Sequence, residues 1–325
     1  MPSSARFSSP RTNAGSPFDL DDGVAYRAWR AAKLADTPTT IDDLLVPIGD
    51  IANPTEGETA ALAAGCAKAN MAFYRSAVNA GREAVAALGR HLGLRHLDAN
   101  PSAGRDGLTA IEASGGVPGR DYIPHTDKPL NWHTDGYYNP PDRQVRAMTL
   151  HCVRAAAVGG TNVILDPELV YIRLRDQDPD HIAALSRDDA MTIPANCHLG
   201  KEVRAAQSGP VFSVDPPTGA LHTRYTARSR SIEWRDDART RAAISALEAV
   251  LSEPEPWALR YRLSPGEGIV CNNAFHRREG FRDPPAGDAG GTGRLLLRGR
   301  YYDRIAGAAG TEGNQDGRKT KNVGS

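Results

Sequence analysis

After Gly107 the chain is written in short apolar runs cut by Gly, Pro and Asn, and this punctuation limits the fold most strongly. The runs 108–113, 145–153, 162–165, 211–214, 257–263, 268–272 and 294–302 all have strand length and are rich in β-branched or other apolar residues. So many short strands predict a β-sandwich or jelly roll with helices packed outside. Two Asp-Pro pairs, Asp166-Pro167 and Asp178-Pro179, interrupt them. Each sets a capping side chain ahead of a proline at the first helical position. Residues 235–252 read as a longer amphipathic helix.

The first third reads as helical. Asp21 or Asp22 caps a segment through Ala25, Trp29 and Leu34, and Thr55 with Glu58 forms a capping box ahead of an Ala-rich stretch reaching about Leu94. Gly65 and Gly81 weaken that stretch as one continuous helix. The fold class expected is mainly β with helices (α+β): a helical opening over 18–95 and a β core over about 108–303, forming one domain, 18–303. Segments 1–17 and 304–325 are small, polar and Gly-rich, so both are expected as disordered tails.

Composition narrows the function classes. The 39 basic and 39 acidic side chains cancel, which removes the basic face of a non-specific nucleic-acid binder. No apolar run approaches the ~20 residues of a membrane span, and the N-terminus lacks the apolar stretch of a signal peptide. Cys66, Cys152, Cys197 and Cys271 are widely spaced, which predicts reduced thiols in a cytoplasm. The expected partner is a small-molecule substrate, with no nucleic acid and no membrane. Oligomeric state is open, a homo-oligomer included.

Chemistry concentrates in NWHTDGYYN, 131–139. On an extended strand His133 and Asp135 share one face, giving two ligands of a 2-His-1-carboxylate site for Fe(II). The segment GEGIVCNNAFHRREGF, 266–281, then offers His276 just past a short strand. In RLLLRGRYYD, 294–303, Arg294, Leu296 and Arg298 share a strand face, so two guanidiniums can point inward. A buried guanidinium needs an anion, and a carboxylate matches it bidentately.

In this order, WHTDGYY, then LHC…GGTNVILD and then NNAFHRREGF…RLLLRGRYYD, over roughly 108–303, the chain resembles the Fe(II)/2-oxoglutarate-dependent dioxygenases of the TauD/TfdA type. This group includes taurine dioxygenase and γ-butyrobetaine hydroxylase. The resemblance implies a double-stranded β-helix (jelly roll). It also implies Fe(II) bound by His133, Asp135 and His276, with 2-oxoglutarate and O2 as cosubstrates. It assigns the distal carboxylate of 2-oxoglutarate to an arginine, with Arg294 the better match and Arg298 meeting an anionic substrate group. The spacing through the Gly/Pro-rich segment 283–293 is longer than in taurine dioxygenase, so the two roles can exchange. In GGTN, Thr161 or Asn162 hydrogen-bonds the cosubstrate, and alternation lets only one of them face inward. Asp135 stands where halogenases of this type have a small non-ligating residue.

Other residues compete. His125-Thr126-Asp127 repeats the motif, but Pro129 follows it and disrupts a central strand. His222 is the rival third ligand, in a segment that also carries Arg224. Tyr137, Tyr138 and Arg224 are candidates for the substrate pocket, and Glu168 or Asp215 could instead read an amine. The expected activity is hydroxylation, or oxidative cleavage, of a small polar anionic or zwitterionic metabolite, with release of succinate and CO2. The alternative is a Zn²⁺ hydrolase using the same cluster, which leaves Arg294 and Arg298 without a task.

Overall fold

The computed structural model describes residues 15–306 apart from 79, 99, 101, 114–124, 199–200, 229–231 and 284–292. Two sheets carry a mixed α+β architecture. The larger has six strands in the order Leu45–Ile48, Met71–Ser76, Glu267–Cys271, Ala147–Arg154, Leu295–Tyr301 and Thr109–Ile111. The smaller has four: Leu259–Tyr261, Asn162–Leu165, Phe275–Arg278 and Leu130–His133. Only Leu45–Ile48 and Met71–Ser76 pair in parallel; the other pairings in these two sheets are antiparallel. The chain crosses between sheets at 272–274, where Glu267–Cys271 of the larger leads into Phe275–Arg278 of the smaller.

Three apolar clusters hold these layers. Phe73, Met148, Leu150, Ile164, Ile269 and Leu296 join the two sheets. Behind the larger sheet, Leu62 of the helix Glu56–Ala69 and Val85 and Leu88 of the helix Arg82–His91 cluster with Ala72, Tyr74, Val270 and Leu297. The third cluster gathers the helices Pro167–Gln177, Pro179–Leu185 and Ala238–Ser252 around Tyr171, Phe212 and Phe275.

Local chemistry sets the helix starts as expected. Asp22 accepts from the Val24 and Ala25 N–H groups ahead of Gly23–Ala35. Thr55 and Glu58 bond reciprocally, and Asp166 and Asp178 each accept from the first turn of the helix they precede; the helix read over 235–252 begins instead at Ala238, capped by Asp237.

The opening 18–95 is not purely helical, however. The Ala-rich helix ends at Ala69, capped by Asn70 in the left-handed conformation (φ 56°), and Met71–Ser76 is a strand inside the larger sheet. Met71 and Phe73 face one cluster while Ala72 and Tyr74 face another. A strand buried on both sides shows no polar alternation, so its sequence reads like a helix segment. Gly65 allows the helix to lie on this strand, since a Cβ there would stand 2.8 Å from Ala72 Cβ.

Both ends of the described chain make specific contacts. Pro17 O accepts from Arg175 Nη1. Ile305 is 2% exposed, and Asn272 grips it by both main-chain groups: Oδ1 accepts its N–H and Nδ2 donates to its carbonyl. The remainder of both expected tails, 1–14 and 307–325, lies outside the described residues. No helix among the described residues is long and apolar enough to cross a membrane.

Candidate functional site

The smaller sheet sets two imidazoles side by side. His133 ends its strand, His276 is the second residue of Phe275–Arg278, and the two are direct cross-strand partners. Their ring centroids are 4.1 Å apart. Asp135 lies in the turn beyond the strand rather than on it, and its carboxylate joins the pair: one ligand atom from each of the three lies within 4.8 Å of the others. Among the described residues this is the one group of three or more His, Cys, Asp or Glu side chains close enough to hold a metal ion.

Two neighbours fix the turn. Asn273 (φ 52°) accepts the Asp135 N–H on Oδ1 at 2.7 Å, and its Nδ2 donates to the carbonyls of Asp135 and Val145. Gly136 follows at φ 64°, where a Cβ would stand 2.4 Å from Val145 Cγ2. Glycine is required there by both conformation and space.

The donor set suits a divalent metal. His133 Nδ1 lies 2.9 Å from Asn131 O, and His276 Nδ1 lies 3.0 Å from Ala274 O. A carbonyl only accepts, so each Nδ1 carries the proton and each Nε2 keeps its lone pair for the cluster. Burial, then the neighbouring His276, pushes His133 down to about 3, and burial lowers His276. Both rings are therefore neutral near pH 7, the form that ligates a metal. Burial opposes the charge on Asp135, but Arg298, then Arg300 and the two imidazoles, hold its carboxyl below the usual range. Arg298 donates to Oδ1 at 3.0 Å, whereas Oδ2 is buried without a hydrogen-bond partner. A cation would satisfy that orphaned oxygen.

A cleft lined by both sheets adjoins the cluster. Its polar lining is His276, Asn162, Arg278, Arg294 and Arg298, with Met148, Leu150 and Leu296 among its apolar walls. Arg294 is buried, packs over the Phe281 ring at 5.0 Å, and is pushed down by burial to about 10, so it remains a cation at neutral pH. Asn162 is buried and lines the cleft, while Thr161 is half-buried and is not among the lining residues.

Arg300 was not anticipated. It ion-pairs with Asp98, donates to the Tyr138 hydroxyl at 3.0 Å and stands 3.9 Å from Asp135 Oδ1. Its signal was in the sequence, because Arg298 and Arg300 are two apart on one strand. Arg278, two residues after His276, and Asn273, in NNAFH, also join the site, without a distinguishing sequence signal of their own. Tyr137 and Tyr138 stack edge to face, 5.2 Å between centroids, and only Tyr138 is tied to Arg300.

Other candidates fall away from the site. Arg224 is buried, but its guanidinium donates to the carbonyls of Met191, Gln207, Gly209, Pro210 and Tyr137. Main-chain acceptors take its donors, so it is not free to read a substrate anion. Glu168 pairs with Lys33, and Asp215 with Arg146, so neither is free to read an amine. His222 and His125 are buried outside the three-ligand group, and His151 Nδ1 bonds the Tyr74 hydroxyl.

Comparison with known proteins agrees with this geometry. The family described as "Taurine catabolism dioxygenase TauD, TfdA family" matches residues 44–300. Two similar proteins are named uridine-5'-phosphate dioxygenase. One, from an Amycolatopsis species, is 34% identical over 182 residues, 53% of this chain and 60% of that protein. The other, from a Streptomyces species, is 30% identical over 201 residues, 59% of this chain and 67% of that protein. The aligned part thus spans about three fifths to two thirds of those relatives.

Two solved structures share the fold at 17% identity and a TM-score of 0.53. One is asparagine oxygenase with Fe(II), 3-hydroxyasparagine and succinate, covering 87% of this chain and 85% of that one. The other is the non-heme iron oxygenase OrfP with Fe, succinate and (3S)-hydroxy-L-Arg, covering 90% and 94%. A match spanning both sheets and all three cluster residues leaves one conclusion: this chain belongs to the TauD/TfdA dioxygenase family.

Proposed function

We propose that the chain is an Fe(II)- and 2-oxoglutarate-dependent dioxygenase that oxidises a small anionic metabolite and releases succinate and CO2. One observation carries this reading: the His133–Asp135–His276 cluster adjoins a buried cleft lined by arginines. The two sheets are taken as the halves of a double-stranded β-helix, and 18–303 as one catalytic domain. The free thiols of Cys66, Cys152 and Cys271 fit a reducing cytoplasm. A zinc hydrolase on the same cluster would leave Arg278 and Arg294 without a task.

His133 Nε2, Asp135 Oδ2 and His276 Nε2 would hold Fe(II) as a 2-His-1-carboxylate face. When bound, iron couples the oxidative decarboxylation of 2-oxoglutarate by O2 to oxidation of a substrate C–H bond. The protein does the rest by position. Arg294 takes the distal carboxylate of 2-oxoglutarate, with Asn162 beside it in the cleft. Arg298 holds Asp135 Oδ1, which leaves the buried Oδ2 without a hydrogen-bond partner and available to the metal. Apolar walls such as Leu150 and Leu296 keep water from the reacting atoms.

Arg298 and Arg300 both retain an unpartnered, buried Nε among the described residues. Two guanidiniums beside the carboxylate ligand fit a phosphate or a carboxylate on the substrate. The name shared by the two relatives makes uridine 5'-phosphate the first compound to try. Hydroxylation at a carbon bearing a phosphate ester would give an aldehyde and free phosphate. The test is succinate release with and without uridine 5'-phosphate, a sulfonate and an amino acid, in wild type and Arg298→Leu. Because Arg298 also holds Asp135, both proteins are first titrated with Fe(II); at full iron loading the accepted anion should accelerate succinate release in wild type but not in the variant. An equal response in both proteins would show that no anion is read at Arg298.

A further inference from the structure

We propose that Arg278 is the second arm of a two-arginine clamp for the distal carboxylate of 2-oxoglutarate, working with Arg294. The proposal rests on the dioxygenase reading and adds a residue to its cosubstrate site. Arg278 is 6% exposed and lines the same cleft as Arg294 and His276. Its strand places it directly opposite Asn162. The two guanidiniums meet on one aromatic ring: Arg278 Cζ lies 4.7 Å and Arg294 Cζ 5.0 Å from the Phe281 centroid.

Arg278 is held from behind and unspent in front. Its Nη2 donates to the carbonyls of Thr126 and Lys128, whereas Nε and Nη1 have no hydrogen-bond partner among the described residues. Neither Arg278 nor Arg294 forms an ion pair with a described carboxylate; Asp283 accepts the main-chain N–H of Arg294 instead. Two buried cations sharing one ring, without an anion between them, are unfavourable until an anion arrives. A carboxylate can accept from both guanidiniums at once. Two strand residues, roughly 7 Å, separate His276 from Arg278, a span that a five-carbon diacid can bridge.

The test compares two oxo acids by anaerobic calorimetry on Mn(II)-loaded protein. 2-Oxoglutarate carries the distal carboxylate, and 2-oxobutyrate lacks it while keeping the oxo acid. Arg278→Gln and Arg294→Gln should each weaken 2-oxoglutarate roughly ten- to hundredfold and leave 2-oxobutyrate unchanged. Their combined loss should be less than the product of the two, because the arms share one ligand.

If Arg278→Gln binds 2-oxoglutarate like wild type while Arg294→Gln does not, Arg278 only staples the Thr126–Lys128 segment and the proposal is overturned. Equal weakening of both acids by Arg278→Gln would overturn it too. Should that variant not fold, Arg278→Lys, which keeps a donor for the two carbonyls but loses the fork, repeats the comparison. Failure of wild type to bind 2-oxoglutarate would instead remove the dioxygenase reading beneath it.

Discussion

Arg224 and Arg298 carry the same side chain in similar surroundings, yet they differ in what is left to donate. Arg224 meets five main-chain carbonyls, so Arg224→Ala should unfold at lower temperature, by about 2–4 kcal/mol of stability. Its succinate release should respond to substrate as in wild type; loss of that response in a folded protein would return Arg224 to the substrate site. Asn273 is the opposite case, a neutral side chain close to the metal chemistry. Asn273→Ala removes three hydrogen bonds around Asp135 and Val145. It should cost roughly 2–3 kcal/mol and weaken Fe(II) binding, read by metal titration of the folded variant. Unchanged metal affinity would show that Asp135 keeps its place without this clamp.

Strands and helices were legible to the extent that their signals are local. Asp22, Thr55 with Glu58, Asp166 and Asp178 announce helix starts within four residues, and each cap forms. The turn-bounded runs after Gly107 fall on strands for the same reason. Met71–Ser76 was lost because both its faces are buried, which erases the period of two. Ile305, which is buried, carries no such local signal, since the side chain that bonds its main chain, Asn272, lies far away in sequence. Removing its buried side chain tests the point: Ile305→Ala keeps the main-chain bonds to Asn272 but should destabilise the protein by about 2–5 kcal/mol in a denaturant melt. No change would mean that the chain beyond Tyr301 adds nothing to the core.

The site divides along the same line. The three cluster residues were readable from HxD and a distal His. Arg300 needed its Asp98 and Tyr138 partners, and Arg278 needed the unpartnered Nε and Nη1 that only packing reveals.

Taken together, the buried histidines give the protein a direction of pH response. Burial pushes His133 and His222 from 6.5 down to about 3 and His151 to about 4, and it lowers His276. Below 6.5 an unfolded chain takes up protons that the folded chain refuses. Stability is therefore full above 6.5 and is lost progressively as pH falls toward 3. Asp135, held below its ordinary 3.8, adds to the loss below that value. Melting temperatures of metal-free protein should fall steadily from near neutral pH to about 4.5, and a flat profile would contradict the burial of these rings.

The proposed activity depends on the cluster that His133 and His276 of the smaller sheet form with Asp135. The most direct measurement is succinate formed from 2-oxoglutarate in air by wild type and His276→Ala, each supplied with Fe(II) or with Zn(II). Wild type should form succinate with Fe(II) only, and His276→Ala should form none while melting like wild type. Full succinate formation by folded His276→Ala would show that the metal centre is not where His133, Asp135 and His276 meet, and equal turnover with Zn(II) would show that the reaction does not need iron.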